Sequence, residues 1–226
     1  MREFDIILFG ATSFVGAILT KYMLSQQPLD GDVKWAIAGR SQTKLNQLKL
    51  SLGEAAEALP VIVADTCNPA SIDAMCGATR VIVSTVGPYA LYGEPVIQSC
   101  VALGTDYCDL TGEPQWIHKM LGRYEAAAKK SGARIVNCCG FDSIPSDLGV
   151  YFLQQKSNQT LKQHCNSVKM RVKAMKGGAS GGTIASMLNA IKEAMQDKNI
   201  RKIIASPYAL CPTDHGFKAR QINLKS

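Results

Sequence analysis

A glycine-bearing turn lies between the first apolar run of the chain, at 5–9, and the first helical pattern, at 14–26. Gly10 would allow a tight turn, and Gly16 would allow close packing of helix and sheet. The exposed N–H groups of the first helical turn could then hold an anionic diphosphate. The residues predicted to form this site are Gly10, Thr12, Ser13, Phe14, Val15 and Gly16. The alternative is a strand–helix turn that binds no ligand.

Ser13 stands in the middle of this turn, where dinucleotide-binding turns usually carry glycine. Its backbone N–H remains available, and we expect its hydroxyl to add a second donor for a phosphate. Its Cβ would limit how closely that phosphate approaches.

The end of the second predicted strand indicates which dinucleotide binds. NAD-binding domains usually place Asp or Glu there to hold the ribose 2′-OH. This sequence has Arg40 and Ser41 there, whereas Asp30 and Asp32 precede the strand. A guanidinium fork suits a 2′-phosphate, with the Ser41 hydroxyl as a second donor. We therefore predict NADP(H) rather than NAD(H), with a solvated strand-end arginine as the alternative.

Two later strand ends would complete the cofactor crevice, because ligands of open α/β sheets bind beyond the carboxyl ends of the strands. Asp65 follows the third apolar run and could accept from the adenine amine, or it could be a turn acid before a helix. The residues predicted to lie against the nicotinamide are Thr85, Val86, Gly87 and Pro88. Tyr89 is the candidate hydroxyl near the transferred hydride, and a packing role is its alternative.

Four further polar side chains follow the fifth and sixth apolar runs. Asp142 and Ser143 precede a helix whose first turn holds a proline, so we favour capping of that helix. The other role is hydrogen bonding or acid–base chemistry at the nicotinamide. Asp109 and Glu113 could be paired carboxylates in the crevice, or a turn charge and a charge at a helix N-terminus. The catalytic residue stays unassigned, with Tyr89, Asp142 and Ser143 as candidates.

These positions fit a doubly wound α/β fold. Apolar runs predict buried strands at 5–9, 33–38, 61–64, 81–84, 107–108 and 134–138. Amphipathic stretches predict helices at 14–26, 42–52, 70–76, 95–103 and 114–130. Strands that are apolar on both faces and alternate with helices indicate a mostly parallel sheet covered on both sides.

The pattern changes near residue 150, where we predict a domain boundary. Residues 1–150 carry 12 basic and 15 acidic side chains, whereas residues 151–226 carry 13 and 3. A helix is predicted at 146–155, a half-exposed strand at 167–174 and an amphipathic helix at 183–196. These elements bury too little to stand alone, so 151–226 is predicted either to be docked on the first domain or to be the beginning of a second α/β domain. The glycine-rich loop at 177–182 is either an anion-binding turn or a plain one.

Composition narrows the class of protein. Hydrophobic residues make up 46% of the 226 residues and charged residues 19%, which excludes a disordered chain or a coiled coil. Eight cysteines without a C-x-x-C pair indicate reduced thiols and a cytoplasmic location, and three scattered histidines predict no metal site. No apolar run approaches the ~18 residues that span a bilayer, so no transmembrane segment is expected. The basic second part lacks an aromatic platform for bases, so it gives no strong nucleic-acid signal.

Several segments match one family when they are taken together. They lie at 10–16, 38–41, 86–89, 92–95, 107–113, 140–149 and 180–183, and the match at 140–149 is the most specific. In these segments the sequence resembles the saccharopine dehydrogenase-like oxidoreductases and is similar to the bacterial trans-acting enoyl reductases among them. The resemblance implies a Rossmann-type NADP-binding domain followed by a second α/β domain that shapes the substrate site. Family members are longer, so we expect a C-terminally truncated chain whose substrate wall is incomplete and which could be inactive.

The function expected from the resemblance is NADP(H)-dependent hydride transfer to an enoyl, keto or imine group of a small-molecule or acyl-type substrate. The enoyl-reductase branch is the closer match, and the basic second part would suit an acidic or acyl-carrier-linked substrate. A homo-oligomer is compatible with the sequence. Two alternatives stay open: a dinucleotide-binding scaffold or sensor without turnover, and binding of nucleic acid or another polyanion by residues 151–226.

Overall fold

The computed structural model describes residues 2–174, 176, 178, 180–212, 214 and 216. The strands within them are β1 (Phe4–Phe9), β2 (Trp35–Gly39), β3 (Val61–Val63), β4 (Thr79–Ser84), β5 (Asp106–Asp109) and β6 (Ile135–Val136). The helices are α1 (Phe14–Gln26), α2 (Gln42–Leu52), α3 (Pro69–Ala78), α4 (Tyr89–Tyr92), α5 (Glu94–Leu103), α6 (Pro114–Ser131), α7 (Ile144–Leu161), α8 (Gly181–Gln196) and α9 (Lys198–Ala205). Each strand and helix predicted before residue 139 is present, with both ends within two residues of the prediction. The short helix α4 was not predicted.

The six strands form one sheet in the order β3-β2-β1-β4-β5-β6, and every neighbouring pair is parallel. At the end of β1, Phe9 lies opposite Ala38 of β2 and Ser84 of β4. The chain order reverses between β1 and β4, so the loops that leave these two strands diverge. This divergence opens a crevice at the carboxyl ends of the central strands, and the prediction of a doubly wound α/β sheet is confirmed.

Apolar side chains cover both faces of the sheet. Successive side chains of a strand face opposite sides, so Ile7 and Phe9 enter one core and Leu8 enters the other. The larger core adds residues of α3, α5 and α6, and the smaller one adds residues of α1 and α2. All five residues of β2 are buried. Because burial of each large apolar side chain contributes about 1.5 to 3 kcal/mol, these layers fix the strand ends that carry the site.

Arg2 joins the ends of two helices on the face of the sheet that carries the larger core. Its guanidinium donates to the carbonyl oxygens of Cys76 (3.0 Å) and Leu103 (2.7 Å), and it also contacts the Thr79 carbonyl and the Thr105 hydroxyl. The carbonyls at the C-termini of α3 and α5 lack partners within their helices, and a cation there opposes the negative end of each helix dipole. Arg2 therefore acts as a clamp on the C-terminal ends of α3 and α5, the helices that precede and follow β4.

We expect Arg2→Ala to lower the free energy of unfolding by about 1 to 3 kcal/mol, because partly buried acceptors lose a charged donor. Urea denaturation followed by circular dichroism measures the change. Arg80→Ala is the matched control: the Arg80 side chain is 72% exposed and pairs with Asp5 at 3.1 Å, so little change is expected. Equal midpoints for the two variants would contradict the clamp.

The second part of the chain is helical in the residues that the structure describes. α7 begins at Ile144 and runs to Leu161, so the boundary predicted at residue 150 falls inside a helix. α8 agrees with the helix predicted at 183–196, apart from two added residues at its start. α9 was not predicted, and none of the described helices is long and apolar enough to cross a membrane.

The strand predicted at 167–174 is wrong: these residues form neither strand nor helix. Their alternating pattern describes a chain with one apolar face, but a strand also needs a neighbouring strand to bond its backbone. The described part of the chain places no such neighbour there. Met170 and Val172, two of the apolar positions, are exposed.

Candidate functional site

Two adjoining cavities occupy the carboxyl edge of the sheet, beside the point where the strand order reverses. The first, of about 280 Å³, touches the ends of β1, β2, β3 and β4, and we call it the cofactor cavity. The second, of about 550 Å³, lies between the β1, β4 and β5 loops on one side and helices α8 and α9 on the other; we call it the outer cavity. Ser13, Thr85 and Gly87 line both, so the two cavities are continuous.

The turn between β1 and α1 depends on its two glycines. Gly10 has φ +87°, and a Cβ there would lie 2.7 Å from Cγ2 of Val86. A Cβ on Gly16 would lie 2.2 Å from the carbonyl oxygen of Gly10. Both positions thus exclude a side chain, as predicted from the spacing, and the first turn of α1 is packed directly onto the end of β1.

The Ser13 hydroxyl closes this turn and is not available to a phosphate. Its oxygen accepts from the backbone N–H of Gly16 at 3.0 Å and lies 3.0 Å from the Thr85 hydroxyl. Thr85 uses its own hydrogen on the Gly10 carbonyl at 2.9 Å, so Ser13 must be the donor of the pair. This corrects our expectation of a second phosphate donor. The partner, Thr85, lies 72 residues away in sequence.

Backbone N–H groups remain free in the turn. The N–H groups of Thr12, Phe14 and Val15 have no acceptor among the described residues, whereas Ser13 N–H donates to Gly10 at 2.9 Å. Free N–H groups at the start of a helix attract anions through their own hydrogens and through the helix dipole. The turn therefore fits a diphosphate through its backbone.

Arg40 and Asp65, which follow the ends of β2 and β3, line the cofactor cavity. The Arg40 side chain is exposed, and among the described residues it has neither an ion pair nor a hydrogen bond. Ser41 caps α2 by accepting from Lys44 N–H at 3.4 Å. Asp65 turns one oxygen to the Cys67 N–H at 2.9 Å, as a turn acid would, and its other oxygen has no hydrogen-bond partner in the described chain. A free guanidinium at this position fits a 2′-phosphate.

The loop after β4 supports the turn. Thr85 donates its backbone N–H to Phe9 at 2.9 Å, and Val86 lies against Gly10. Gly87 lines both cavities and carries no side chain to block them. The predicted nicotinamide-side residues Thr85, Val86 and Gly87 are thus brought to the junction of the cavities, and Pro88 holds the N-cap position of α4.

Tyr89 is a core residue. Its hydroxyl donates to the Ser84 carbonyl at 3.0 Å, and its ring lies 5.6 Å from that of Trp116. Burial, together with the nearby Asp109 carboxylate, raises the pKa of Tyr89 well above its usual value. Since the hydroxyl is committed to a backbone carbonyl, the geometry argues against proton transfer by Tyr89 and favours the packing role that we gave as its alternative.

The carboxylates Asp109 and Glu113 do not form a pair. Asp109 accepts from the Tyr107 hydroxyl at 2.9 Å and from the Asn137 amide at 2.8 Å, which ties β5 to the loop after β6. Burial raises the pKa of Asp109. Glu113 accepts from the N–H groups at the start of α4. It is therefore a charge at the N-terminus of α4 and not, as its place in the sequence suggests, of α6.

Asp142 and Ser143 lie on the loop that leads into α7. Asp142 is exposed and lines the outer cavity. Ser143 holds the N-cap position of α7, but its side chain accepts no N–H of that helix, so the side-chain cap that we favoured does not form. Asp142 thus remains a candidate for contact with a substrate, and a catalytic role for either residue stays a prediction.

Helices α8 and α9 supply a wall that the sequence analysis did not identify. The glycine-rich loop leads into α8, although Gly177 and Ala179 of that loop lie outside the described residues. Ser180 caps α8 by accepting from Thr183 N–H at 3.2 Å. The wall residues on these helices are Gly182, Thr183, Ser186, Met187, Ala190 and Ile204. The amphipathic pattern at 183–196 showed that α8 has an apolar face, but not what that face meets.

A family model and several known proteins match this chain in sequence. The family model "Saccharopine dehydrogenase NADP binding domain" matches residues 6–136. A protein of Mycobacterium tuberculosis is 43% identical over 211 residues, which is 93% of this chain and 50% of the relative. A Mycobacterium ulcerans protein named trans-acting enoyl reductase is 39% identical over 210 residues, 92% of this chain and 50% of the relative. The chain thus spans about half the length of these relatives.

Among solved structures, saccharopine dehydrogenase (L-Glu forming) from Saccharomyces cerevisiae gives a TM-score of 0.48 at 17% identity, over 67% of this chain and 31% of that one. The family model alone covers more than half of the 226 residues, and it names the nucleotide that we predicted from Arg40. The prediction of NADP(H) is thereby confirmed. Residues 6–136 form an NADP-binding domain, and the chain belongs to the saccharopine dehydrogenase family that this domain defines.

Proposed function

We propose that the chain is the cofactor-binding part of an NADP(H)-dependent oxidoreductase that reduces the carbon–carbon double bond of an enoyl substrate with an apolar chain. The observation that carries the proposal is the continuity of two cavities. Among the described residues, the first cavity is lined by Thr12, whose N–H has no acceptor, and by Arg40, whose guanidinium has no partner, and the second cavity opens beside it at the β4 loop.

Residues of both cavities would divide the work of binding: Thr12 and Arg40 line the cofactor cavity, and Phe14 and Val15 line the outer one. The N–H groups of Thr12, Phe14 and Val15 would hold the diphosphate, and Arg40 would hold the 2′-phosphate. The nicotinamide would then lie at the Thr85–Gly87 junction and face the outer cavity. When bound, NADPH supplies the hydride, and this chain supplies position and electrostatics.

The lining of the outer cavity favours an apolar substrate. Phe14, Leu110, Met187, Ala190 and Ile204 contribute apolar side chains. The lining residues from the described chain include the acids Glu113 and Asp142 but no lysine or arginine, so a dicarboxylate such as glutamate would find no cation there. This charge distribution favours an enoyl substrate over the imine of saccharopine formation. Relatives named trans-acting enoyl reductase support the same choice.

One domain-level proposal follows from the same geometry. Several residues between Ser180 and Ile204 line the outer cavity, so we regard the predicted second domain, 151–226, as part of a substrate-binding unit.

Loss of NADPH absorbance with a trans-2-decenoyl N-acetylcysteamine thioester tests the reaction. We expect consumption of NADPH with this thioester and none with 2-oxoglutarate plus lysine. Binding of NADPH without consumption would support the scaffold alternative, and turnover of the keto acid and amine alone would contradict the enoyl assignment.

A further inference from the structure

A buried carboxylate connects the nicotinamide-side loop to the wall of the outer cavity. Glu113 is only 3% exposed, and its two oxygens accept from the backbone N–H groups of Tyr89 at 2.8 Å and Ala90 at 2.9 Å. The hydroxyl of Ser186 on α8 donates to the same carboxylate at 2.7 Å. Hydrogen bonds to an ionised acceptor are short and strong, so this is a firm joint between α4 and α8.

A second hydrogen bond lies on the same face of α8. The Gln115 side-chain amide donates to Glu193 at 3.0 Å, two helical turns beyond Ser186. Ala190, between these two positions, lines the outer cavity. The face of α8 that forms the cavity wall is therefore the face that these hydrogen bonds hold.

The joint between α4 and α8 lies beside the loop after β4. A Cβ built on Gly87 would lie 3.8 Å from the Ser186 hydroxyl oxygen, so α8 and the loop after β4 are in close approach at this point. Gly87 lines both cavities, and Ser186 lines the outer one. A change in the position of the loop on one side of the joint would thus shift α8 on the other side.

We propose that Ser186 is a positioning residue that fixes α8, through Glu113, at a set distance from the loop that receives the nicotinamide. In this arrangement NADPH binding orders the loop, and the Glu113–Ser186 hydrogen bond passes that order to the substrate wall. The inference rests on the proposed function only for its cofactor arm. The joint itself consists only of hydrogen bonds between residues of this chain.

Hydrogen–deuterium exchange of α8, with and without NADPH, tests the proposal in the full 226-residue chain. Ser186→Ala removes the hydroxyl but leaves the two backbone bonds of Glu113, and Ser186→Thr retains a hydroxyl. Without NADPH, we expect exchange in α8 to be roughly tenfold faster in Ser186→Ala and nearly unchanged in Ser186→Thr. With NADPH, we expect slower exchange in α8 of the parent chain and of Ser186→Thr, and loss of this response in Ser186→Ala.

The outcomes separate the two proposals. Unchanged α8 exchange in Ser186→Ala, or the same loss in Ser186→Thr, would overturn the joint. An NADPH response of α8 that survives Ser186→Ala, or a parent chain in which bound NADPH leaves α8 exchange unchanged, would overturn the coupling. Absence of NADPH binding by the parent chain would contradict the proposed function, while exchange without NADPH would still decide whether the joint holds α8.

Discussion

Replacement of Arg40 by alanine should weaken NADPH binding roughly 10- to 100-fold, because hydrogen bonds to a charged group contribute about 1.5 to 3 kcal/mol. NADH, which lacks the 2′-phosphate, should bind with nearly unchanged affinity. The guanidinium forms no hydrogen bond or ion pair within the described chain, so its whole charge is available to the 2′-phosphate. Fluorescence titration with each nucleotide measures both affinities.

The control for this experiment is Lys49→Ala, which removes one positive charge from the last turn of α2, the helix that follows Arg40 in the chain. If positive charge acts only by long-range attraction of the nucleotide, its removal should weaken NADPH binding in both variants. If Arg40 contacts the 2′-phosphate directly, only Arg40→Ala should weaken it. A parallel loss of NADH affinity in Arg40→Ala would show that Arg40 supports the fold of the cavity and does not select the nucleotide.

Gly16→Ala should abolish NADPH binding within the accessible range of concentration, a loss of more than roughly 100-fold. The new Cβ would lie 2.2 Å from the Gly10 carbonyl and 2.8 Å from Cα of Ala11, and both atoms belong to the backbone of the turn. A flexible side chain could move aside, but here the turn itself must open. Overpacking of this kind also costs about 1 to 3 kcal/mol of stability.

Gly122→Ala is the matched control, since Gly122 lies within α6 and a Cβ there has no heavy atom within 4 Å. It should bind NADPH normally and gain about 0.5 to 1 kcal/mol of stability. Normal NADPH binding by a folded Gly16→Ala chain would contradict the placement of the diphosphate in this turn.

The parts of the site that depend on local sequence were predictable. A strand, a turn with two glycines and a helix specify where free N–H groups lie, because each feature is set by residues next to one another. The position of Arg40 after β2 follows in the same way from strand period and chain direction. Because parallel strands bring these ends to one edge of the sheet, their meeting could be predicted without knowledge of any side-chain contact.

The parts that depend on distant contacts were not predictable. The Ser13 hydroxyl looked free because its partner, Thr85, is far away in sequence and close only after β1 and β4 pair. Glu113 looked like a charge for its own helix, yet its bonds go to α4 and α8. The 167–174 segment shows the converse limit, since a strand pattern forms a strand only where a neighbour accepts its hydrogen bonds.

The most direct test of the account is a crystal structure of the chain with NADP(H). We predict diphosphate oxygens within hydrogen-bond distance of the N–H groups of Thr12, Phe14 and Val15, and the 2′-phosphate against the Arg40 guanidinium. The nicotinamide should lie where the two cavities meet. A nucleotide bound elsewhere on the sheet edge, or bound here with Arg40 directed into solvent, would contradict the account.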